Sequence, residues 1–248
     1  MDDQSLMFVM DLSGQRRSEQ TYQVFLTDLS HEMRTPLTAI LAHLEVLRTP
    51  DVPEATRDQS LSLIYRETNR IVRLTRDLLK LGRLEMASEI ARRPIDIVVL
   101  AEEAVSQIIP QAEERQIALS LQADASLPHV LGDPDRLKQV FLNLLDNAVK
   151  YCRPGDQVEV CLHSEPDGVG CTIRDTGPGI PPQHLPHVTR RLYRVNTDVE
   201  GSGLGLTLAE EILRRHQSRL DIHSQHEGEP TGTVLHFILP TVSVEKVV

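Results

Sequence analysis

The sequence predicts an α+β protein in which a helical-hairpin domain precedes an α/β domain. Residues 22–47 and 61–81 carry apolar side chains at three- and four-residue spacings, which is typical of long amphipathic helices. Beyond residue 88 the pattern changes to short alternating runs and shorter helices, as expected for a layered domain built on a sheet. We therefore place the hairpin at residues 21–88 and the α/β domain at residues 89–243.

The two long helices are joined by TPDVPEAT, residues 49–56, whose two prolines end the first helix and allow the chain to reverse. An isolated pair of amphipathic helices leaves much of its apolar surface in water. We therefore expect two copies to pair as a dimeric four-helix bundle, so that the protein is a homodimer. The apolar positions of the first helix are Tyr22, Leu26, Leu29, Met33, Leu37, Ile40, Leu44 and Leu47.

The α/β domain is predicted to contain strands and helices in mixed order. Two strands flank a helix over residues 99–115, and a longer helix runs from Asp133 to about Tyr151. Two pairs of alternating runs with turn residues between them indicate two β-hairpins. The predicted strands are RPIDI, IALSLQAD, QVEVCLHSE, GVGCTIRD, RLDIHSQ and GTVLHFILP.

Composition excludes several classes of partner. The formal net charge of -10, the 3% aromatic content and the lack of any basic cluster longer than a pair predict no nucleic-acid binding. Three widely spaced cysteines do not form a paired-ligand metal site, and they indicate small core residues in a reducing compartment. With no apolar run of about 18 residues and no signal peptide, we expect a soluble, cytoplasmic fragment without membrane contact.

The segment LSHEMRTPL, residues 29–37, places His31 almost opposite the apolar stripe, so its imidazole should face solvent. Judged by its position alone, His31 is more commonly a surface histidine without a functional role. Glu32 could accept the Nδ1 proton and leave Nε2 as a nucleophile, while the Thr35 hydroxyl could position a water. Pro36 cannot donate to the carbonyl of Glu32, so we expect the helix to bend beside the imidazole.

Three further segments suggest a nucleotide site. On the helix that Asp133 and Pro134 begin, Asn143, Asn147 and Lys150 share one flank, and Asn oxygens can ligate a hard cation. A solvated polar flank is the alternative. DTGPGI, residues 175–180, allows close backbone approach to a flat ligand, or is a tight turn. GSGLGL, residues 201–206, opens a helix whose N-terminal amides suit phosphate.

In this order, the four motifs resemble those of the sensor histidine kinases of two-component signalling: an H-box (LSHEMRTPL), an N-box (NLLDNAVKY), a G1 box (DTGPGI) and a G2 box (GSGLGL). The resemblance covers roughly residues 15–240. It implies a dimerisation and phosphotransfer hairpin followed by an ATP-binding α/β sandwich of the Bergerat type. ATP and Mg²⁺ are the implied cofactors, and the receiver domain of a response regulator is the implied partner.

The resemblance also implies residue roles. His31 resembles the phosphoacceptor, Glu32 its acid-base partner, and Thr35 the residue that aids hydrolysis of the phosphorylated regulator. Asn147 resembles the Mg²⁺ ligand, Asp175 the carboxylate that reads adenine, and Arg194 an arginine that touches the γ-phosphate. The remaining nucleotide-binding positions implied by the boxes are Asn143, Lys150, Tyr151, Gly177, Gly179, Gly201, Gly203, Leu204 and Gly205.

One motif departs from the family. Between G1 and G2 the family has a phenylalanine-rich box resembling FERFYR, whereas this chain has TRRLYR, with Thr189 and Leu192 in place of both phenylalanines. Because this box is altered, an alternative interpretation stays open. In it, the protein is a nucleotide-binding homologue that is phosphatase-biased or a scaffold and has weak autokinase activity. A stand-alone ATPase of the gyrase type is disfavoured, because Asn143 stands where those enzymes have a water-activating glutamate.

The opening MFVMDLSGQRRSEQ, residues 7–20, resembles the last strand of a PAS sensor domain running into a signalling helix. We therefore expect residues 1–20 to be the end of a sensor domain. The sequence would then be the cytoplasmic part of a longer sensor, and full-length relatives are often anchored in a membrane.

Overall fold

Two long helices open the chain. In this computed structural model, which describes residues 3–86, 91–196, 199, 201–228 and 230–241 and side chains from Phe25 onward, α1 spans Asp3–Arg48 and α2 spans Glu54–Met86. The chain divides into two compact units, Met1–Thr75 and Arg76–Val248, so the division falls within α2. The predicted domain limits at 88 and 243 lie outside the described residues.

The predicted strand near the N-terminus is wrong, because the backbone from Asp3 onward is helical. A helix satisfies its own backbone hydrogen bonds, whereas a strand needs a neighbouring strand. Residues 3 to 35 contain no proline to interrupt the helix, and Pro36 itself lies inside α1. The assignment of residues 1–20 to a sensor domain stays a prediction.

Within the first unit, polar contacts join α1 to α2. Nδ1 of His43 lies 3.1 Å from the hydroxyl of Ser60, which is buried between the helices. The Arg70 guanidinium donates to the carboxylate of Glu32 at 2.6 Å. The predicted apolar stripe of α1 is only partly covered within one chain: Leu37 and Leu44 are 46% and 43% exposed.

The second unit is a sheet domain whose elements follow the predicted order with two additions, the short strand β3 and a 3₁₀ turn. They are β1 (Arg93–Ile95), α3 (Ile97–Glu114), β2 (Ala118–Ala123), β3 (Val130–Gly132), α4 (Pro134–Tyr151), β4 (Gln157–Glu165), β5 (Gly168–Asp175), a 3₁₀ turn (Leu185–His187), α5 (Gly205–Arg215), β6 (Asp221–Gln225) and β7 (Gly232–Leu239). The last turns of α2 also belong here, since Leu84 joins the core of this unit.

The main sheet has five strands in the order β2-β4-β5-β7-β6. Only the pairing of β2 with β4 is parallel, and the other three pairings are antiparallel. Alternate residues of β4, β5 and β7 point into one core with α3, α4 and α5, as expected for a sheet covered on one face. At its centre the rings of Phe141 and Phe237 meet edge to face at 5.7 Å.

Capping explains where the helices begin. The Asp96 carboxylate accepts hydrogen bonds from the amides of Val98 and Val99 at the start of α3. At the start of α4, the Asp133 carboxylate accepts hydrogen bonds from the amides of Asp135 and Arg136, and Pro134 is the first helical residue. The predicted start of α4 at Asp133 and Pro134 is therefore confirmed.

Buried His216 ties the end of α5 to the start of α4. Its Nδ1 donates to the carbonyl of Ile212 at 2.8 Å, and its Nε2 accepts from the amide of Asp133 at 3.1 Å. Nε2 can accept only in the neutral ring, so protonation would break the bond to Asp133, and burial lowers the pKa of His216 below its ordinary 6.5.

A pH-dependent stability follows from His216. In the unfolded chain this imidazole takes up a proton as the pH falls through about 6.5, whereas in the folded protein it resists until its lower pKa. The free energy of unfolding should therefore fall below about pH 6.5, by at most about 1.4 kcal/mol per pH unit from this group. Urea unfolding at pH 7.5 and 5.5 checks it. His216→Gln should show a smaller difference between the two pH values, and an unchanged difference would contradict the assignment.

Candidate functional site

The flank of α4 carries the predicted polar cluster. Asn143 accepts from Nε2 of Gln139 at 2.7 Å and donates from Nδ2 to the carbonyl of Gly205 at 3.1 Å. A Cβ placed on Gly205 would lie 3.9 Å from the amide of Asn147. Lys150, one turn on, forms an ion pair with Asp146. The structure thus brings Asn143 and Asn147 to the residue at which α5 begins.

The start of α5 carries no side-chain cap. Gly205 is its first residue, and Leu204 at the cap position is buried but provides no side-chain hydrogen bond. A Cβ on Gly201 would meet nothing within 4 Å. Gly203 has φ +71°, and a Cβ there would come within 2.8 Å of the backbone of Leu192. Glycine is therefore required at Gly203.

Asp175 lies at the end of β5 and is half-buried. Its Oδ1 accepts from the amides of Gly177 at 3.0 Å and Thr233 at 3.2 Å. Burial raises the pKa of this carboxyl, and the two amides partly offset the effect. A Cβ on Gly177 would be 3.2 Å from Sγ of Cys152, the residue that ends α4. The same helix therefore borders both glycine loops.

Gly179 is the most constrained glycine of DTGPGI. Its φ is +68°, and a Cβ would lie 2.1 Å from the carbonyl oxygen of Gln225. The loop is further fixed to the region of β6, because the Ile180 amide donates to Ser224 at 2.8 Å. These contacts are those of a tight turn, and the approach of a flat ligand to this loop stays a prediction.

Arg194 and Tyr151 are electrostatic neighbours. Burial raises the pKa of Tyr151, and the positive charge of Arg194 counteracts this rise. Nη2 of Arg194 donates to the backbone carbonyls of Asn196, at 3.5 Å, and Val199. The guanidinium is therefore held within its own loop in this conformation.

In the first unit, His31 is exposed, as predicted. Glu32 accepts from Arg70, a partner that is 38 residues away in sequence. The Thr35 hydroxyl donates to the carbonyl of His31 at 3.2 Å, so it is turned toward the helix backbone. The next residue in sequence, Glu32, therefore has its carboxylate held by Arg70, and the imidazole of His31 is accessible from solvent.

Sequence reasoning missed three polar residues that contact the predicted site. Gln139 orients Asn143 and accepts from Lys80 at 3.1 Å. The Ser202 hydroxyl donates to Asp77 at 2.6 Å and accepts from the amide of Leu204 at 3.2 Å. Gln139 is one turn before Asn143 and Ser202 lies inside GSGLGL, so their positions in the sequence could have indicated both. Nothing in the sequence around Asp77 indicated its contact with Ser202.

Known proteins resemble the chain over both units. Residues 22–87 match the family model of the His Kinase A (phospho-acceptor) domain. Residues 132–243 match that of the histidine kinase-, DNA gyrase B- and HSP90-like ATPases. None of the helices in the described residues has a stretch that could span a membrane.

Two curated relatives show the extent of the similarity. The probable sensor histidine kinase TcrY of Mycobacterium tuberculosis is 36% identical over 218 residues, which is 86% of this chain and 45% of TcrY. The phosphate regulon sensor protein PhoR of Pseudomonas aeruginosa is 33% identical over 240 residues, 94% of this chain and 53% of PhoR. The chain therefore spans about half the length of these relatives.

Solved structures agree with the fold. The mycobacterial sensor histidine kinase MprB is 31% identical with a TM-score of 0.53, over 60% of this chain and 97% of that one. The histidine kinase ThkA, solved in complex with the response regulator protein TrrA, is 19% identical with a TM-score of 0.75, over 97% of this chain and 68% of that one; at this identity it shows the fold alone. With both domain matches and the four motifs, the chain belongs to the sensor histidine kinases of two-component signalling.

Proposed function

We propose that the protein uses ATP to phosphorylate His31 and then passes the phosphoryl group to an aspartate in the receiver domain of a response regulator. The observation that carries this proposal is the position of α4. Its flank meets the start of α5 through Asn143 and Gly205, and its end meets the loop after Asp175 through Cys152. One helix therefore borders the sites proposed for the phosphates and for the base.

The nucleotide would be held by groups of three kinds. Asp175 is the half-buried carboxylate assigned to the exocyclic amine of adenine, and Gly177 and Gly179 allow the ring to approach the backbone. The amides that open α5, with Gly201, Gly203 and Leu204 before them, are assigned to the phosphates. Lys150 and Tyr151, at the end of α4, complete the site.

Mg²⁺ suits the amide oxygen of Asn147, because this ion takes few protein ligands and completes its shell with water and phosphate oxygens. Asn147 is half-buried beside Gly205, where the phosphates are expected. When bound, Mg²⁺ would neutralise part of the negative charge of the phosphates. Arg194 would add its positive charge to the γ-phosphate after exchanging its backbone partners for the nucleotide.

The transfer step needs little besides positioning. Nε2 of His31 attacks the γ-phosphorus as the bond to the β-γ bridging oxygen breaks, and ADP leaves with the electron pair. Glu32 accepts the Nδ1 proton, while Arg70 holds that carboxylate in place at 2.6 Å. In the second step an aspartate oxygen of the regulator attacks the phosphorus and the N–P bond breaks. Glu32 returns the proton to Nδ1, so His31 leaves as a neutral imidazole.

Asn143 supports transfer rather than hydrolysis. Both ends of its amide are engaged, one with Gln139 and one with Gly205, and an amide cannot act as a general base for water. We assign Thr35, one turn beyond His31, to hydrolysis of the phosphorylated regulator, for which its hydroxyl would turn from the backbone toward a water.

A homodimer through the helical hairpin is part of the proposal. Beside the exposed leucines of α1, α2 carries apolar side chains at seven-residue intervals that one chain leaves exposed, as in a coiled-coil seam. Pairing with a second copy would remove these side chains from water. They are Tyr65, Val72, Leu79 and Met86.

Labelling tests the proposed function. Incubated with γ-labelled ATP and Mg²⁺, the protein should acquire phosphate that is stable in base and lost in acid, as expected of a phosphoimidazole. The label should then move to a receiver domain. Steady release of phosphate without a regulator and without label would indicate a stand-alone ATPase. Nucleotide binding without label, with Thr35-dependent dephosphorylation of a regulator, would indicate the phosphatase-biased or scaffold alternative.

A further inference from the structure

The lid segment, which we define as residues 184–194, lacks the two phenylalanines that its family uses. Of the two replacements, Leu192 is buried at 8% exposed and Thr189 is half-buried, and the neighbouring Val188 is 7% exposed. The Thr189 carbonyl accepts from the hydroxyl of Thr207 on α5 at 2.9 Å. Small aliphatic side chains bury less surface than phenylalanine, so a second means of holding the segment is needed.

That second means is a cluster of three rings. The Tyr193 hydroxyl lies 2.7 Å from Nδ1 of His184, and the two ring centroids are 6.1 Å apart. The His187 ring meets the same tyrosine edge to face at 5.6 Å. Nδ1 of His187 is buried and has no hydrogen-bond partner among the described residues, so its contribution here is ring packing.

The cluster fixes the chain directly beside Arg194. Tyr193 precedes Arg194, and its amide donates to the carbonyl of Arg190 at 3.2 Å. Two χ angles relate the tyrosine ring to its own backbone, so an anchored ring restrains the backbone that carries the next side chain. A positioned guanidinium contributes to transfer, whereas binding of the nucleotide base does not depend on it.

We infer that His184 and His187, which contact the ring and hydroxyl of Tyr193, take over the role of the missing phenylalanines, and that the three residues act as positioning residues for Arg194 during phosphoryl transfer. The inference rests on the proposed function, because it assigns Arg194 to the γ-phosphate. It differs from a purely structural role, since loss of the cluster should affect the rate of transfer more than nucleotide affinity or stability.

A double-mutant cycle tests the inference. Tyr193→Phe keeps the ring and removes the hydroxyl, and His184→Ala removes its partner. Each variant should lower the rate of His31 labelling at saturating ATP about fivefold, the factor expected from one net hydrogen bond. The double variant should be no slower than either single one. The KM for ATP should change by less than about twofold, because ground-state binding is retained.

Conservative variants and a matched control sharpen the test. His184→Asn can still meet the tyrosine hydroxyl and His187→Phe can still pack on its ring, so both should label close to the wild-type rate. His163→Ala removes another hydrogen-bonded histidine, which pairs with Glu165 on β4, and should leave labelling unchanged. A double variant that labels more slowly than both single variants, by the product of their two factors, would overturn the inference. A rise in the KM for ATP as large as the fall in labelling rate would also overturn it.

Hydrogen exchange provides a readout that does not require kinase activity. With a non-hydrolysable ATP analogue bound, the amides of His187 and Tyr193, which donate within the lid segment, should exchange about fivefold faster in Tyr193→Phe than in wild type. Equal exchange would overturn the inference even if the wild type labels normally. Faster exchange in a protein that never labels would support the anchor and reject the proposed function.

Discussion

His31→Gln is expected to abolish the phosphate label that the wild-type protein acquires from ATP and Mg²⁺. The glutamine amide nitrogen shares its lone pair with the carbonyl and is not a nucleophile, whereas imidazole Nε2 is. His31 is exposed, so its replacement should change the free energy of unfolding by less than about 0.5 kcal/mol. Affinity for the ATP analogue should stay as in wild type, because the proposed nucleotide site is built by other residues.

The matched control is His129→Gln, the same chemical change at an exposed histidine of the second unit. It should label at the wild-type rate. Denaturing gels of protein sampled over time, treated with acid or base before counting, measure both variants. Label that survives in His31→Gln with the acid lability of a phosphoimidazole would place the acceptor on another histidine and defeat the assignment.

Gly179→Ala is expected to weaken nucleotide binding and to destabilise the second unit. The new Cβ would lie 2.1 Å from a backbone oxygen of β6, and the residue would keep φ near +68°. Backbone cannot give way as a flexible side chain can, so we expect a loss of about 3 kcal/mol in the free energy of unfolding. Affinity for the ATP analogue should fall about tenfold or more, since loss of about 1.4 kcal/mol is already a factor of ten.

Gly82→Ala serves as the control for this substitution. Gly82 lies in α2, where an added Cβ meets nothing within 4 Å, and alanine is favoured over glycine inside a helix. This variant should be as stable as wild type or more stable by up to about 1 kcal/mol. Urea unfolding and calorimetric titration with the analogue measure both glycine variants. Wild-type affinity in Gly179→Ala would show that the loop does not border the nucleotide.

Local signals were sufficient for most elements. The start of α4 was predictable because an Asp cap and a proline act within a few residues of each other. The β4-β5 and β6-β7 hairpins were predictable from alternation and turn residues, which are also local. The strand β3 was missed: its pairing with β1 joins segments far apart in the sequence and leaves no local signal.

Contacts between distant segments were not predictable from one sequence. The partner of Glu32 is 38 residues away, and several other arginines of α2 have the same chemistry. The ring cluster around Tyr193 was not predictable, because His184 is nine residues away in an irregular segment and no periodicity places the two rings together. The strand assigned near the N-terminus failed because resemblance over about fourteen residues does not decide between helix and strand.

The parallel pairing of β2 with β4 has a consequence for how the second unit folds. A hairpin such as β4-β5 can close as soon as its two strands are made, whereas β2 has to wait until the chain has passed through β3 and all of α4. The entropy of closing that longer loop is lost before the pairing is gained. On a ribosome, β2 and the helix before it would therefore emerge early and remain unpaired until α4 has been synthesised and packed.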